Sequence, residues 1–164
     1  MTNRLDAVKI GLGLAILALL MNIGLGVLFG VNESVFQDYI KAGIAAHPDL
    51  FRPTSQEGIW RLVQRAHFHA GGIGAFSLGL VIVTALSDMS AARKQLTAAL
   101  IGLSIFYPIA WYVMFFQAPL IGSRAAHAHW LVELCTYIGV GSLGLGLLSL
   151  ILGVFVPAKK LIQE

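Results

Sequence analysis

Residues 66–86, with the sequence AHFHAGGIGAFSLGLVIVTAL, decide the fold because they form a long apolar run without a charged side chain. A helix needs roughly 20 such residues to cross the hydrocarbon core of a bilayer. Three other stretches are long and apolar, at residues 10–31, 96–117 and 130–156, and the last of them contains one charged residue, Glu133. The chain is 57% hydrophobic and only 12% charged, whereas soluble domains carry about 25% charged residues. The sequence therefore predicts an all-α integral membrane four-helix bundle, with residues 1–164 forming one four-span domain.

The charge and cysteine content exclude several classes of function. The net charge is +3, but the basic residues are scattered and form no run, which argues against a nucleic-acid partner. The single cysteine, Cys135, excludes an internal disulfide and a Cys-rich metal site. The chain also lacks the Cys-x-x-Cys-His motif of covalently attached haem. Membrane lipid is the partner that this composition predicts.

The basic residues outside the spans predict the orientation in the membrane. By the positive-inside rule, both termini and the turn between the second and third spans face the cytoplasm, on the evidence of Arg4, Lys9, Arg93, Lys94, Lys159 and Lys160. We expect a membrane such as the bacterial inner membrane, with residues 32–65 as an outer loop. Within this loop, an amphipathic pattern predicts a short helix at the interface, formed around Phe36, Tyr39, Ile40 and Ile44. Pro108 predicts a kink in the third span.

Two His-x-His pairs carry the clearest functional signal. His67 and His69 open the second span, and His127 and His129 open the fourth, so all four histidines lie on the outer side. Residues i and i+2 of a helix point about 200° apart, so each pair can address two different sides. Imidazole is the commonest metal ligand in proteins and is costly in a membrane without a partner. This pattern predicts haem, with axial ligands on opposite faces, or a copper or zinc site at unwound helix starts.

Charged residues accompany the histidines and extend the candidate site. Glu133 follows His129 by four residues and shares its helix face, so it could fix the tautomer of His129, carry protons or serve in helix packing. Arginines near the same end could bind haem propionates or lipid headgroups, and they are Arg61, Arg65 and Arg124. The small residues Gly71, Gly72 and Gly74 form a flat face that would admit a neighbouring helix or a porphyrin plane.

The sequence around His67 and His69 resembles two known families. The run Ala66-His67-Phe68-His69 before a Gly-rich apolar helix resembles the haem-ligating helix of haem–copper oxidase catalytic subunits. A larger part of the chain resembles styrene oxide isomerase, through residues 53–60 (PTSQEGIW), 65–67 (RAH) and 91–95 (AARKQ). The isomerase resemblance implies a trimer of four-helix subunits with haem b between subunits. It also implies that ferric iron acts as a Lewis acid in opening an epoxide, that His67 is the axial ligand and that Tyr112 lies near the substrate.

The chain departs from the isomerase pattern at several positions. Ile73 stands where that family has an asparagine, and His69 and the His127–His129 pair are additional. The extra histidines favour six-coordinate haem or a second metal such as copper over an open iron site. We therefore expect a haem b-binding membrane protein, a homotrimer, with oxidase-like or electron-transfer chemistry and a quinone or small apolar substrate as partner. A haem-dependent epoxide isomerase and a copper- or zinc-binding protein without haem are the alternatives. Tyr112 and Glu133 are the candidate catalytic residues.

Overall fold

A computed structural model describes residues 5–156, so Arg4, Lys159 and Lys160 of the topology prediction lie outside the described residues. Within this range the chain forms seven α-helices, with 3-10 turns at Pro48–Leu50 and Leu103–Ile105. The helices are α1 (Lys9–Asn32), α2 (Ser34–Ala46), α3 (Ser55–Leu86), α4 (Ala91–Gly102), α5 (Phe106–Ile121), α6 (Ser123–His127) and α7 (Trp130–Phe155). The predicted all-α fold is confirmed for the described residues.

Four helical segments within residues 5–156 are long and apolar enough to cross a membrane. They are α1, α3, the α4–α5 pair and α7. The α4–α5 pair is interrupted by the 3-10 turn Leu103–Ile105, one turn before Pro108. Proline has no backbone N–H to donate to the carbonyl four residues earlier, so an interruption at this point is expected from the sequence.

The segment expected to be an outer loop is largely helical. Helix α3 begins at Ser55, well before the apolar run at residues 66–86, and α2 occupies Ser34–Ala46. The predicted amphipathic helix is therefore present as α2. Its apolar residues Phe36 and Ile40 are buried, and α2 packs against α3 and α5. The Tyr39 hydroxyl donates to the main-chain oxygen of Phe116 on α5 at 2.6 Å, so α2 is fixed to the bundle.

Hydroxyl groups and small residues hold the long helices together. Ser77 on α3 contacts Ser104 in the 3-10 turn through a 2.8 Å hydrogen bond between their hydroxyls. Thr97 on α4 makes the same kind of contact with Ser149 on α7 at 2.6 Å. Such interhelical bonds are worth about 0.6 kcal/mol each on average in a membrane protein. The first bond joins α3 to the 3-10 turn, and the second joins α4 to α7.

The basic turn before α4 is anchored to the same end of the bundle. Lys94 donates to the main-chain oxygen of Ala85 at 2.9 Å, and Arg93 donates to that of Ser149 at 3.1 Å. Ala85 lies in the last turn of α3, where main-chain oxygens lack intrahelical partners and a cation is favoured by the helix dipole. The two basic side chains therefore serve helix packing.

Candidate functional site

His67 on α3 is oriented by the main chain of α1. Its Nδ1 atom lies 3.1 Å from the main-chain oxygen of Asn22. Because a carbonyl oxygen only accepts, Nδ1 donates, and the lone pair of the neutral ring is then on Nε2. Within residues 5–156, Nε2 of His67 has no hydrogen-bond partner. A ring held at Nδ1 by a carbonyl, with Nε2 available, is the usual arrangement of a metal-ligating histidine.

The neighbours of His67 leave space for its ring and keep one side open. A Cβ atom built on Gly26 would lie 3.1 Å from Cε1 of His67, so the glycine makes room for the imidazole. The Phe29 ring packs edge-on at 5.4 Å between centroids. The next residue in the chain, Phe68, is 70% exposed. His67 is thus half-buried between α1 and α3, next to an open apolar face.

Tyr112 lies on the same side of the molecule as His67. Its hydroxyl donates to the main-chain oxygen of Met21 at 3.5 Å, the outer limit for a hydrogen bond. Met21 directly precedes Asn22, whose main-chain oxygen receives the His67 proton. The structure therefore brings His67 and Tyr112 to adjacent carbonyls of α1.

His69 faces the other way, towards α5. Its ring stacks on Trp111 at 5.2 Å and meets Tyr107 edge-on at 4.9 Å. The Arg65 guanidinium lies 5.4 Å from the Trp111 ring in a cation–π contact. His67 and His69 thus contact different helices of the same chain, in agreement with the 200° separation expected from their spacing.

The two histidines of the second pair, His127 and His129, also have different neighbours. His127 is exposed at the end of α6, and its ring lies 6.3 Å from Trp111. His129 is the N-cap of α7, where Nδ1 accepts from the Leu131 N–H at 3.3 Å. The Gln117 amide nitrogen lies 3.3 Å from Nε2 of His129. His127 and His69 therefore both lie near Trp111. The ring of His129 instead contacts Gln117 on α5 and the first turn of its own helix.

Glu133 does not take the position expected beside His129. Within residues 5–156 the ring of His129 has Gln117 and Leu131 as its hydrogen-bond partners, and Glu133 is not among them. Glu133 is exposed and lines a pocket with His127. The i,i+4 spacing correctly places the two residues on neighbouring turns, but the cap conformation at His129 turns its ring towards α5.

The remaining predicted residues are more dispersed. Arg61 forms an exposed ion pair with Glu57 on α3. Arg124 lines a different shallow pocket, with Leu50 and Gly122. Two of the three small residues face α1, because a Cβ on Gly71 would meet the Asn22 side chain and one on Gly74 would meet Leu19. Gly71 and Gly74 therefore admit α1 of the same chain, whereas a Cβ on Gly72 would meet nothing within 4 Å.

Two groups of candidate residues result from this geometry. His67 and Tyr112 lie against α1, and a second group surrounds Trp111, with Arg65, His69, His127 and Glu133. Within the described residues, no three side chains of His, Cys, Asp or Glu come together in a group able to hold a metal ion.

Sequence reasoning did not single out several residues of the site. Asn22 carried a usable signal, because it is a polar side chain within an otherwise apolar first span. Gln117, at the end of the third span, carried a similar one. Gly26 could be noticed only as a helix-packing residue, and its contact with His67 is a result of tertiary packing.

The chain matches no protein-family model, no curated protein and no solved structure. The site is therefore defined by its own geometry. That geometry is a helical bundle with four segments able to span a membrane. At one end of the bundle, each of the two imidazoles of the first pair faces a different neighbouring helix.

Proposed function

We propose that this chain is an integral membrane protein that binds haem b, with Nε2 of His67 as an axial iron ligand. The observation that carries the proposal is the 3.1 Å contact between Nδ1 of His67 and the Asn22 oxygen. It fixes the tautomer that a ligand needs and holds the ring in one orientation. The uncharged run of residues 66–86, which contains His67, would provide an apolar environment for a porphyrin.

The other three histidines are less suited to be the first ligand. His129 has both ring nitrogens close to Gln117, and one of them accepts from the Leu131 N–H. His69 is stacked against Trp111, and His127 is exposed at the end of a short helix. His67 alone among the four combines a main-chain partner at one nitrogen with an available second nitrogen within the described residues.

The residues around His67 define what the chain contributes to haem chemistry. The Asn22 oxygen orients the ring and raises the basicity of Nε2. Gly26 and Phe29 restrict movement of the imidazole between α1 and α3. When bound, haem b would supply one-electron redox chemistry, and its potential would be set by the axial ligand and the polarity of the surroundings. Oxidase-like or electron-transfer activity is therefore the leading function.

A homotrimer with haem near the subunit interface is the proposed assembly. Support comes from the large apolar side chain of Phe68, next to His67, which the single chain leaves 70% exposed. A neighbouring subunit could cover the haem on the Phe68 face, and the number three follows from the isomerase resemblance. The positive-inside rule supports cytoplasmic termini and an outer position for the histidines.

Epoxide isomerisation is the second candidate function, and the position of Tyr112 favours it. The Tyr112 hydroxyl and the His67 ring bind adjacent carbonyls of α1, so a phenol lies near the proposed ligand. A hydroxyl there could orient the oxygen of a small epoxide. Conversion of an aryl epoxide to its aldehyde by the purified protein, lost in Tyr112→Phe with haem retained, would support this alternative over electron transfer.

The proposal is tested by the haem content of the purified full chain. We expect a pyridine haemochrome spectrum of haem b in the wild type and a loss of most haem in His67→Ala. His47→Ala is the matched control, because His47 lies at the end of α2, outside the site, and should retain haem. A wild type that takes up no haem when it is produced with haem in excess would overturn the proposal.

A further inference from the structure

A pocket separate from His67 lies between α5, α6 and α7. Its volume is about 270 Å³. Its aromatic walls are Tyr107 and Trp111 from α5 and Tyr137 from α7, and its polar lining includes His127, Glu133 and Thr136. The proposed haem ligand His67 is on the opposite side of α3, against α1. The pocket is therefore distinct from the proposed haem site.

The size of the pocket restricts the ligand. Drug-sized ligands occupy pockets of roughly 300–1,000 Å³, and this one is slightly smaller. A single substituted six-membered ring fits such a volume, whereas a porphyrin does not. The aromatic side chains favour a flat ring, since offset or edge-to-face contacts stabilise aromatic pairs by about 0.5–1.5 kcal/mol.

The polar groups restrict the chemistry further. An imidazole from His127 and a carboxylate from Glu133 both line the pocket and can form hydrogen bonds with a ligand. Arg65 adds a positive charge against the Trp111 ring. A ring with oxygen substituents that donate and accept hydrogen bonds would use both His127 and Glu133. A purely apolar ligand would leave the histidine and the glutamate unused.

The position of the pocket indicates how a ligand would enter. Glu133 and Tyr137 lie in the first two turns of α7, a helix long and apolar enough to span a membrane. Both side chains are exposed on the surface of the single chain. An ionisable residue within a span is costly in lipid and marks a functional position. A ligand could reach the pocket sideways from the membrane, with a hydrophobic tail left in the lipid.

From these four properties, we infer that the pocket between α5, α6 and α7 binds the ring of a membrane benzoquinone or its quinol. In the quinol form each ring oxygen carries a hydroxyl, so one hydroxyl donates to the Glu133 carboxylate and the other hydrogen-bonds His127, while Trp111 contacts the ring face. The inference goes beyond the proposed function, because binding at this pocket requires no haem. It adds a second ligand, of the class of lipid-soluble electron carriers.

The test is the binding of decylubiquinol, kept reduced without oxygen, to the full chain in phosphatidylcholine nanodiscs, measured by equilibrium dialysis. We expect saturable binding, weakened about tenfold or more in His127→Leu and in Glu133→Leu, because each loses a hydrogen bond to a polar or charged group. Glu57→Leu and His47→Leu are the matched controls and should bind like the wild type. Glu57 pairs with Arg61 away from the pocket.

Haem content measured on the same samples separates this inference from the proposed function. The inference predicts that the His127 and Glu133 variants keep their haem while they lose quinol binding, and that His67→Ala keeps quinol binding. Equal affinity in the pocket variants and in the controls would overturn the inference, as would non-saturable partition into the lipid. Neither result would affect His67 as the haem ligand. Thermal unfolding of each variant distinguishes lost binding from lost folding.

Discussion

His67 and Asn22 connect α3 to α1 through a bond between a side chain and the main chain. The Nδ1 atom of His67 donates to the Asn22 oxygen at 3.1 Å. Because the acceptor belongs to the backbone, the orientation of His67 depends on how α1 packs and not on the identity of residue 22. The distance between α1 and α3 therefore controls the position of the proposed ligand.

Gly26→Ala tests the space left for the His67 ring. The new Cβ would lie 3.1 Å from Cε1 of His67, so the ring must shift by a few tenths of an ångström. We expect weaker haem retention or a shifted Soret band, measured as haem per protein and by optical spectroscopy. Gly30→Ala is the control, because a Cβ there meets nothing within 4 Å. Identical spectra and haem contents for the two variants would show that Gly26 does not affect haem binding.

Gly71→Ala tests the close approach of α1 and α3. A Cβ on Gly71 would lie 2.7 Å from the Asn22 side-chain oxygen, so the two helices must separate or the asparagine must move. We expect a lower unfolding temperature in detergent. Gly72→Ala places its Cβ in open space and should stabilise the helix by about 0.5–1 kcal/mol. Equal stability of the two variants would contradict the packing of α1 on Gly71.

The hydrogen bond from Tyr39 to α5 should make the attachment of α2 to the bundle depend on pH. Burial raises the pKa of Tyr39 above its ordinary value of 10.0, and the neutral hydroxyl donates to Phe116 on α5. The raised pKa means that the contribution of Tyr39 to stability is complete below pH 10 and is lost as pH rises through the folded-state pKa. We expect Tyr39→Phe to lose about 1 kcal/mol and to remove this alkaline component.

Unfolding measured at pH 8 and at alkaline pH up to 11 checks the Tyr39 prediction. Tyr137→Phe is a suitable control, since Tyr137 is 72% exposed on α7. If the wild type and Tyr39→Phe lose stability equally above pH 10, Tyr39 does not provide the pH-sensitive contact.

Much of the fold could be predicted from the sequence, because long apolar runs require helices in a bilayer. The start of α3 could not, because Glu57, Arg61 and Arg65 end the apolar run although the helix extends through them. The helical periodicity was enough to predict that His67 and His69 would face different sides. Their partners, α1 and α5, depend on how distant segments pack.

The second histidine pair shows where sequence spacing was insufficient. His129 and Glu133 are four residues apart, which favours a shared helix face. His129 has an extended backbone at the N-cap of α7, and its ring lies beside Gln117. Because helix periodicity applies only within the helix, it does not predict the direction of the His129 ring at this boundary residue, where the ring contacts Gln117 and Leu131.

The optical spectrum of His67→Gly, recorded with and without added imidazole, tests the role of His67 most directly. The wild type should show a Soret band of haem b. The variant should lose haem or show a changed band, and imidazole should restore the wild-type spectrum by occupying the position of the missing side chain. A His67→Gly protein with full haem content and an unchanged spectrum would contradict ligation by His67.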